Sequence, residues 1–138
     1  MYNMHVRSGE VFMDKSLLNN GYFWQKIDSL VMSTNVIISQ PKGSHHPEYM
    51  NMVYPVDYGY LNDTDDVKVF RGSIKTSRVE AIMVVGDILK RDLEVKLLFG
   101  CNQEEELKIL QFINQTDYQK GILVRRGKEL PDWAMTEI

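Results

Sequence analysis

The chain has 138 residues, a single cysteine, 43% hydrophobic and 25% charged residues, and a formal net charge of -3. This fits one globular domain and excludes a fibrous or disordered class, while one cysteine excludes a scaffold held by intrachain disulfides. The acidic excess speaks against a general nucleic-acid or anionic-membrane binder; no apolar run reaches transmembrane length and no signal-peptide order opens the chain, so the expected location is the cytoplasm.

Residues 1–18 mix polar and apolar side chains without a sustained period, and the expectation there is a poorly ordered extension of the single domain 1–138. In NNGYFWQKIDSLV, Phe23, Trp24, Ile27, Leu30 and Val31 recur at helical spacing behind Asn19 or Asn20 as cap, which predicts a short amphipathic helix. Tyr22, Phe23 and Trp24 together exceed the aromatic need of one short helix and suit self-association, so a homo-oligomer is one expected assembly. Asn35 to Ser39 is a β-branched run closed by Pro41, hence a strand. The following PKGSHHPEYMNM reads as a loop that carries Lys42, Ser44, His45 and His46.

The stretch YPVDYGYL, Tyr54 to Leu61, is the most distinctive in the chain. In an extended backbone its alternation puts Tyr54, Val56, Tyr58 and Tyr60 on one face, Pro55 marks an edge or a mouth, and Gly59 suits a bend or a close backbone approach. Asp63, Asp65 and Asp66 follow at once, and phenols beside carboxylates make one wall of a site rather than a plain core strand.

Val67 to Phe70 is a brief strand, and RGSIKTS a turn. The apolar run from Arg78 to Leu89 predicts a central strand buried on both faces and bent at Gly86. After a reversal through LKRD, LEVKLLF from Leu93 to Phe99 alternates, with Glu94 and Lys96 opposite Leu93, Val95 and Leu97. Asn102 caps a helix whose apolar positions are Leu107, Leu110 and Ile113 or Asn114. GILVRR is a last strand, and the tail KELPDWAMTEI packs Trp133 back or frays. Five or six short strands with these two helices describe a mainly β, α+β domain, a small closed β-barrel with helical cover.

Taken together, PKGSHHP, YPVDYGYL with its aspartates, DILKRDLEVKLLFGC and KGILVRR resemble the soluble inorganic pyrophosphatases, in particular their short pyrophosphatase-like members, from about Asn35 onward. The resemblance implies an OB-type barrel, a Mg²⁺ cofactor and phosphoanhydride hydrolysis by a metal-activated water. It implies metal ligands among Asp63, Asp65, Asp66, Asp92 and Glu94, with Asp66 and Asp65 as the catalytic pair, and Lys42, Tyr54, Tyr58, Arg91 and Lys96 on pyrophosphate or another phosphorylated small molecule. Asp87 belongs to the same acidic set as Asp92 and Glu94.

The chain also departs from that family. Its acidic loop is shorter than the family's Asp-Gly-Asp-x-x-Asp and lacks the glycine; Asp66 matches the last aspartate. Glu94 stands where the family's Asp-x-Lys pair begins, and Gln115-Thr116 stands roughly where larger members carry Tyr-Lys. These losses support a second reading, a catalytically degenerate barrel that binds a phosphorylated small molecule or a protein partner. A third reading, an oligonucleotide-binding barrel with Arg125 and Arg126 on phosphates, conflicts with the acidic balance, so neither nucleic acid nor membrane is an expected partner. A zinc site is not expected, because His45 and His46 are adjacent and cannot both face one metal from a regular strand. Cys101 reads as a small buried hydrophobe.

Overall fold

A computed structural model describes residues 18–127 with their side chains and, before them, the backbone of two strands, Met4–Arg7 (β1) and Glu10–Met13 (β2). These two pair antiparallel, with Met4 opposite Met13, in a stretch whose sequence carries no sustained period. Trp133 and the tail around it lie outside the described residues.

Helix α1 spans Gly21–Met32, and Asn20 caps it by accepting from the Phe23 N–H. The strands that follow are β3 (Val36–Gln40), β4 (Asp57–Leu61), β5 (Lys68–Arg71), β6 (Val79–Asp87) and β7 (Asp92–Phe99). Helix α2 (Gln103–Ile113) opens on a capping box in which the Asn102 side chain and the Glu105 carboxylate each bond the other's backbone N–H. Strand β8 (Gln119–Arg125) ends the described chain's regular structure.

Six strands form one mixed sheet in the order β3-β4-β5-β7-β6-β8, in which only β5 and β7 run parallel. The two-residue side-chain period sends neighbours on one strand to opposite faces. Phe70 and Leu98 thus join Met83, Val85, Ile109 and Phe112 beneath α2, while Val69 and Leu97 join Trp24 and Val31 beneath α1. A register shift between Val79 and Ala81 moves β6 from the α1 face to the α2 face. The irregularity falls there and not at Gly86, which stays in register opposite Leu93 and Lys120.

The closed OB-type barrel expected from the sequence is not what forms. The sheet is open, because β3 and β8 end it on opposite sides and do not pair. A barrel reserves one face of every strand for its interior, whereas β5 and β7 bury apolar side chains on both faces and need a cover on each. Two helices supply those covers, and the fold is an α+β layered sheet.

Two further expectations change. The buried stripe of α2 is Glu106, Ile109, Phe112 and Ile113, and Leu107 is 61% exposed. A carboxylate inside the stripe disguised it; Glu106 is buried against Arg125, with Nη2 2.6 Å from Oε1. On β7 the alternation is as read but the burial is reversed at one end. Lys96 is 7% exposed and Leu93 75%, because α1 covers only the Leu97 end of its face. Arg126, proposed for nucleic-acid phosphates in the third reading, forms a two-pronged pair with Asp28 at 3.0 and 2.9 Å and ties β8 to α1. No helix among the described residues is long and apolar enough to cross a membrane.

Candidate functional site

The site begins with strand pairing. Tyr60 of β4 lies opposite Lys68 of β5, and Lys68 lies opposite Lys96 of β7, so one row across three strands carries a phenol and two ammonium groups. Tyr58 and Phe70 form the next row, their rings 4.7 Å apart. Gly59 sits between the two tyrosines because nothing larger fits: a Cβ there would stand 1.8 Å from the Ile37 carbonyl oxygen of β3. The close-approach reading of this glycine holds.

Lys96 is the pivot. Its Nζ donates to the Tyr58 hydroxyl at 2.7 Å and to the Glu94 carboxylate, and it lies 5.2 Å from the Tyr58 ring centre. A nearly buried ammonium is tolerated only with such partners. Because the Tyr58 oxygen accepts from Lys96, its own proton is left to donate. Burial, and next the Glu94 charge, raises the Tyr58 phenol well above its usual range, and burial followed by Tyr58 pushes Tyr54 up to about 12. Both phenols are therefore proton donors at neutral pH.

The acidic turn is tight. Thr64 Oγ1 donates to the Leu61 carbonyl at 2.7 Å and the Leu61 N–H donates to the Val67 carbonyl at 2.9 Å, while Asp63 and Asp66 take left-handed backbone angles. The turn swings Asp66 back over β5, where its Oδ1 meets Lys68 Nζ at 2.7 Å. Lys68 holds the Asp66 carboxyl below the usual range. All three aspartates of the turn are exposed, and the Asp66 side chain is 70% exposed even with its lysine partner.

On the opposite rim, the β6–β7 hairpin brings Asp87 and Asp92 into register as partners. Asp87 is 6% exposed, and its Oδ1 accepts the backbone N–H groups of Leu89 and Lys90, both at 2.9 Å. That Asx-type turn positions Lys90 toward the same space. Arg91, with φ 55°, lines a neighbouring shallow groove with Leu93 and Tyr118 instead.

Between these parts lies a pocket of about 430 Å³. Its floor is Tyr54, Tyr58 and Phe70 with Phe112 of α2, and Gln40 of β3 and Gln119 of β8 line it from the two ends of the sheet. The polar cleft is thus lined from both edge strands of the open sheet. Five carboxylates line it, those of Glu48, Asp66, Asp87, Asp92 and Glu94, against three ammonium groups, those of Lys68, Lys90 and Lys96. The formal excess is two negative charges.

Of the residues singled out from the sequence, the pocket gathers His46, Tyr54, Tyr58, Asp66, Asp87, Asp92, Glu94 and Lys96. It does not gather Asp63, Asp65, Lys42 or Arg91. Lys42 is exposed, and its contribution is a backbone N–H to Asp57 Oδ1 at 2.9 Å. Tyr54 reaches the pocket as a core residue, 5% exposed and 4.8 Å from the Phe112 ring. Lys68 and Lys90 were missed. Lys68 was legible in principle, since strand parity puts it on the Phe70 face, two residues from Asp66.

The donor set suits a magnesium ion. The lining carboxylates are hard oxygen ligands, and magnesium is ordinarily held by one or two carboxylates together with substrate phosphates and water. Among the described residues no three His, Cys, Asp or Glu side chains form a ready-made metal cage. Cys101 is buried, and burial, with Glu105 and Glu106 next, pushes its thiol up to about 12, so it packs as a small hydrophobe. No known family model matches the chain, and no curated protein matches it.

Proposed function

We propose that the pocket binds a phosphoanhydride of the pyrophosphate class together with Mg²⁺ and hydrolyses it. The observation that carries this reading is the pairing of three lysines with five carboxylates in one cleft. Lysines alone would suit a bare phosphate. An excess of carboxylate repels a bare polyanion and favours one that arrives with a divalent cation.

Asp92 and Glu94 would hold the ion, with Asp66 across the cleft; bound there, it neutralises phosphate oxygens in the manner of metal-assisted phosphoryl transfer. Lys96 and Lys68 orient the phosphate oxygens from the floor, and the Tyr58 hydroxyl donates beside them. Asp66 stays ionised beside Lys68 and is available to accept a hydrogen bond from the attacking water and orient it.

The test is phosphate release from pyrophosphate with and without Mg²⁺, in wild type and in Asp66→Asn. Turnover that requires both the metal and Asp66 supports the reading. Metal-dependent turnover that survives Asp66→Asn removes Asp66 from the mechanism, and absence of release in folded protein removes hydrolysis.

A second reading, a pocket that binds a phosphorylated small molecule without hydrolysing it, is favoured by the absence of Asp63 and Asp65 from the pocket lining. Saturable pyrophosphate binding without phosphate release would support it.

A further inference from the structure

The loop 41–54 folds back on itself. The Gly43 N–H donates to the Tyr54 carbonyl and the Tyr54 N–H to the Ser44 carbonyl, both at 2.9 Å, and the His46 N–H donates to the Met52 carbonyl at 2.8 Å. This holds two adjacent histidines in opposite roles. His45 is exposed, with Nδ1 2.7 Å from the Met50 carbonyl. A carbonyl only accepts, so His45 Nδ1 carries a proton.

His46 is the reverse. Its Nδ1 accepts the backbone N–H groups of Glu48 and Tyr49 at 3.1 and 3.2 Å, so that nitrogen is unprotonated and the ring proton resides on Nε2. The ring lies parallel to Tyr54, 6.0 Å away with 9° between planes, and 5.1 Å from Tyr49. It lines the same pocket as Lys90 and Lys96, and the ring's hydrogen bonds among the described residues are both at Nδ1. Glu48 on its own loop, Lys90 in the β6–β7 turn and Lys96 on β7 are the charges that act on it. Burial and the two lysines outweigh Glu48 and favour the neutral ring.

We infer that His46 is a binding residue of the pocket, a neutral imidazole with its tautomer locked by the loop, whose Nε2–H donates to a phosphate oxygen of the bound anhydride. The inference rests on the phosphate reading of the pocket. A neutral donor suits this cleft, because it adds a hydrogen bond without needing a further counter-charge. The lock at Nδ1 also fixes the ring's direction before ligand arrives, so little ordering is left to be done on binding.

The experiment uses the full chain, Mg²⁺ and pyrophosphate. Long-range ¹H–¹⁵N NMR correlation reads the tautomer of each histidine. Without ligand, His46 is expected as the Nε2–H form and His45 as the Nδ1–H form; on titration His46 Nε2 shifts and His45 does not. In parallel, calorimetry compares His46→Asn with His46→Gln. An asparagine oxygen replaces the Nδ1 acceptor and preserves the loop but loses the pocket donor, and should weaken pyrophosphate about tenfold. The glutamine amide reaches the Nε2 position and should recover part of that loss.

Binding that depends on Lys96 but leaves His46 unshifted, or an unweakened His46→Asn, overturns this inference and leaves the phosphate reading intact. No pyrophosphate binding by folded wild type overturns both. A protonated Nδ1 on His46 overturns the locked tautomer directly.

Discussion

Lys96→Met tests the centre of the site. The substitution keeps the length of the buried stem and removes the ammonium, which is 2.7 Å from the Tyr58 hydroxyl and paired with Glu94. The Glu94 side chain is 38% exposed and regains water, so losing its partner strands no buried charge. The effect on folding should be about 1 kcal/mol or less, since a desolvated ammonium is removed along with its bonds. Binding responds more strongly. A hydrogen bond from an ammonium to a phosphate is worth about 1.5–3 kcal/mol, which corresponds to a roughly 10- to 150-fold weaker Kd. Calorimetric titration with pyrophosphate in Mg²⁺ measures the Kd, and a circular-dichroism melt shows that the variant is folded. A folded Lys96→Met protein that binds with unchanged affinity would refute the assignment of the pocket floor.

Other consequences follow from the same structure. Asp28→Ala should destabilise the fold by about 3–5 kcal/mol, read by urea unfolding, since it strips the Arg126 fork and the Val79 N–H bond at 2.8 Å from a pair whose side chains are only 9% and 16% exposed. Gly59→Ala should cost on the order of 1–3 kcal/mol, because the new Cβ would meet the Ile37 carbonyl and force β3 away from β4; a neutral effect in the same assay would show that the pair yields freely. Stability should also fall on acidification through His46. Its folded value lies below the ordinary 6.5, so the unfolded chain binds the proton more readily. The His46 contribution is then complete above pH 6.5 and is lost as pH drops through the folded value. Urea unfolding from about pH 7.5 to about pH 5 should show a steeper loss in wild type than in His46→Asn, and equal slopes would contradict the burial of this ring.

The local elements were legible because they depend on nearest neighbours in the chain. Asn20 and Asn102 cap helices for reasons contained in three or four residues, and the alternation of LEVKLLF predicts opposite faces for Lys96 and Leu97 wherever the strand sits. The Tyr-Gly-Tyr strand and the acidic turn likewise announced a polar wall. Burial was less legible. Glu106 in the α2 stripe and Lys96 on the pocket floor carry charge, and charge in a sequence signals solvent until a partner from a distant strand is known.

What the sequence determined by itself, then, is the α+β class, the position of most elements and the presence of phenols and carboxylates along and after one strand. Closure, and the membership of that site, were decided only in three dimensions. Whether six strands curl into a barrel depends on which faces the helices cover, and α1 and α2 cover both faces of β5 and β7. Which acidic and basic residues meet depends on the parallel pairing of β5 with β7, a contact between strands that have β6 between them in the chain. That pairing sets Lys68 beside Lys96, and the exposed Asp66 carboxylate reaches the pocket rim through Lys68, while Asp63 and Asp65, its neighbours in the chain, do not line the pocket.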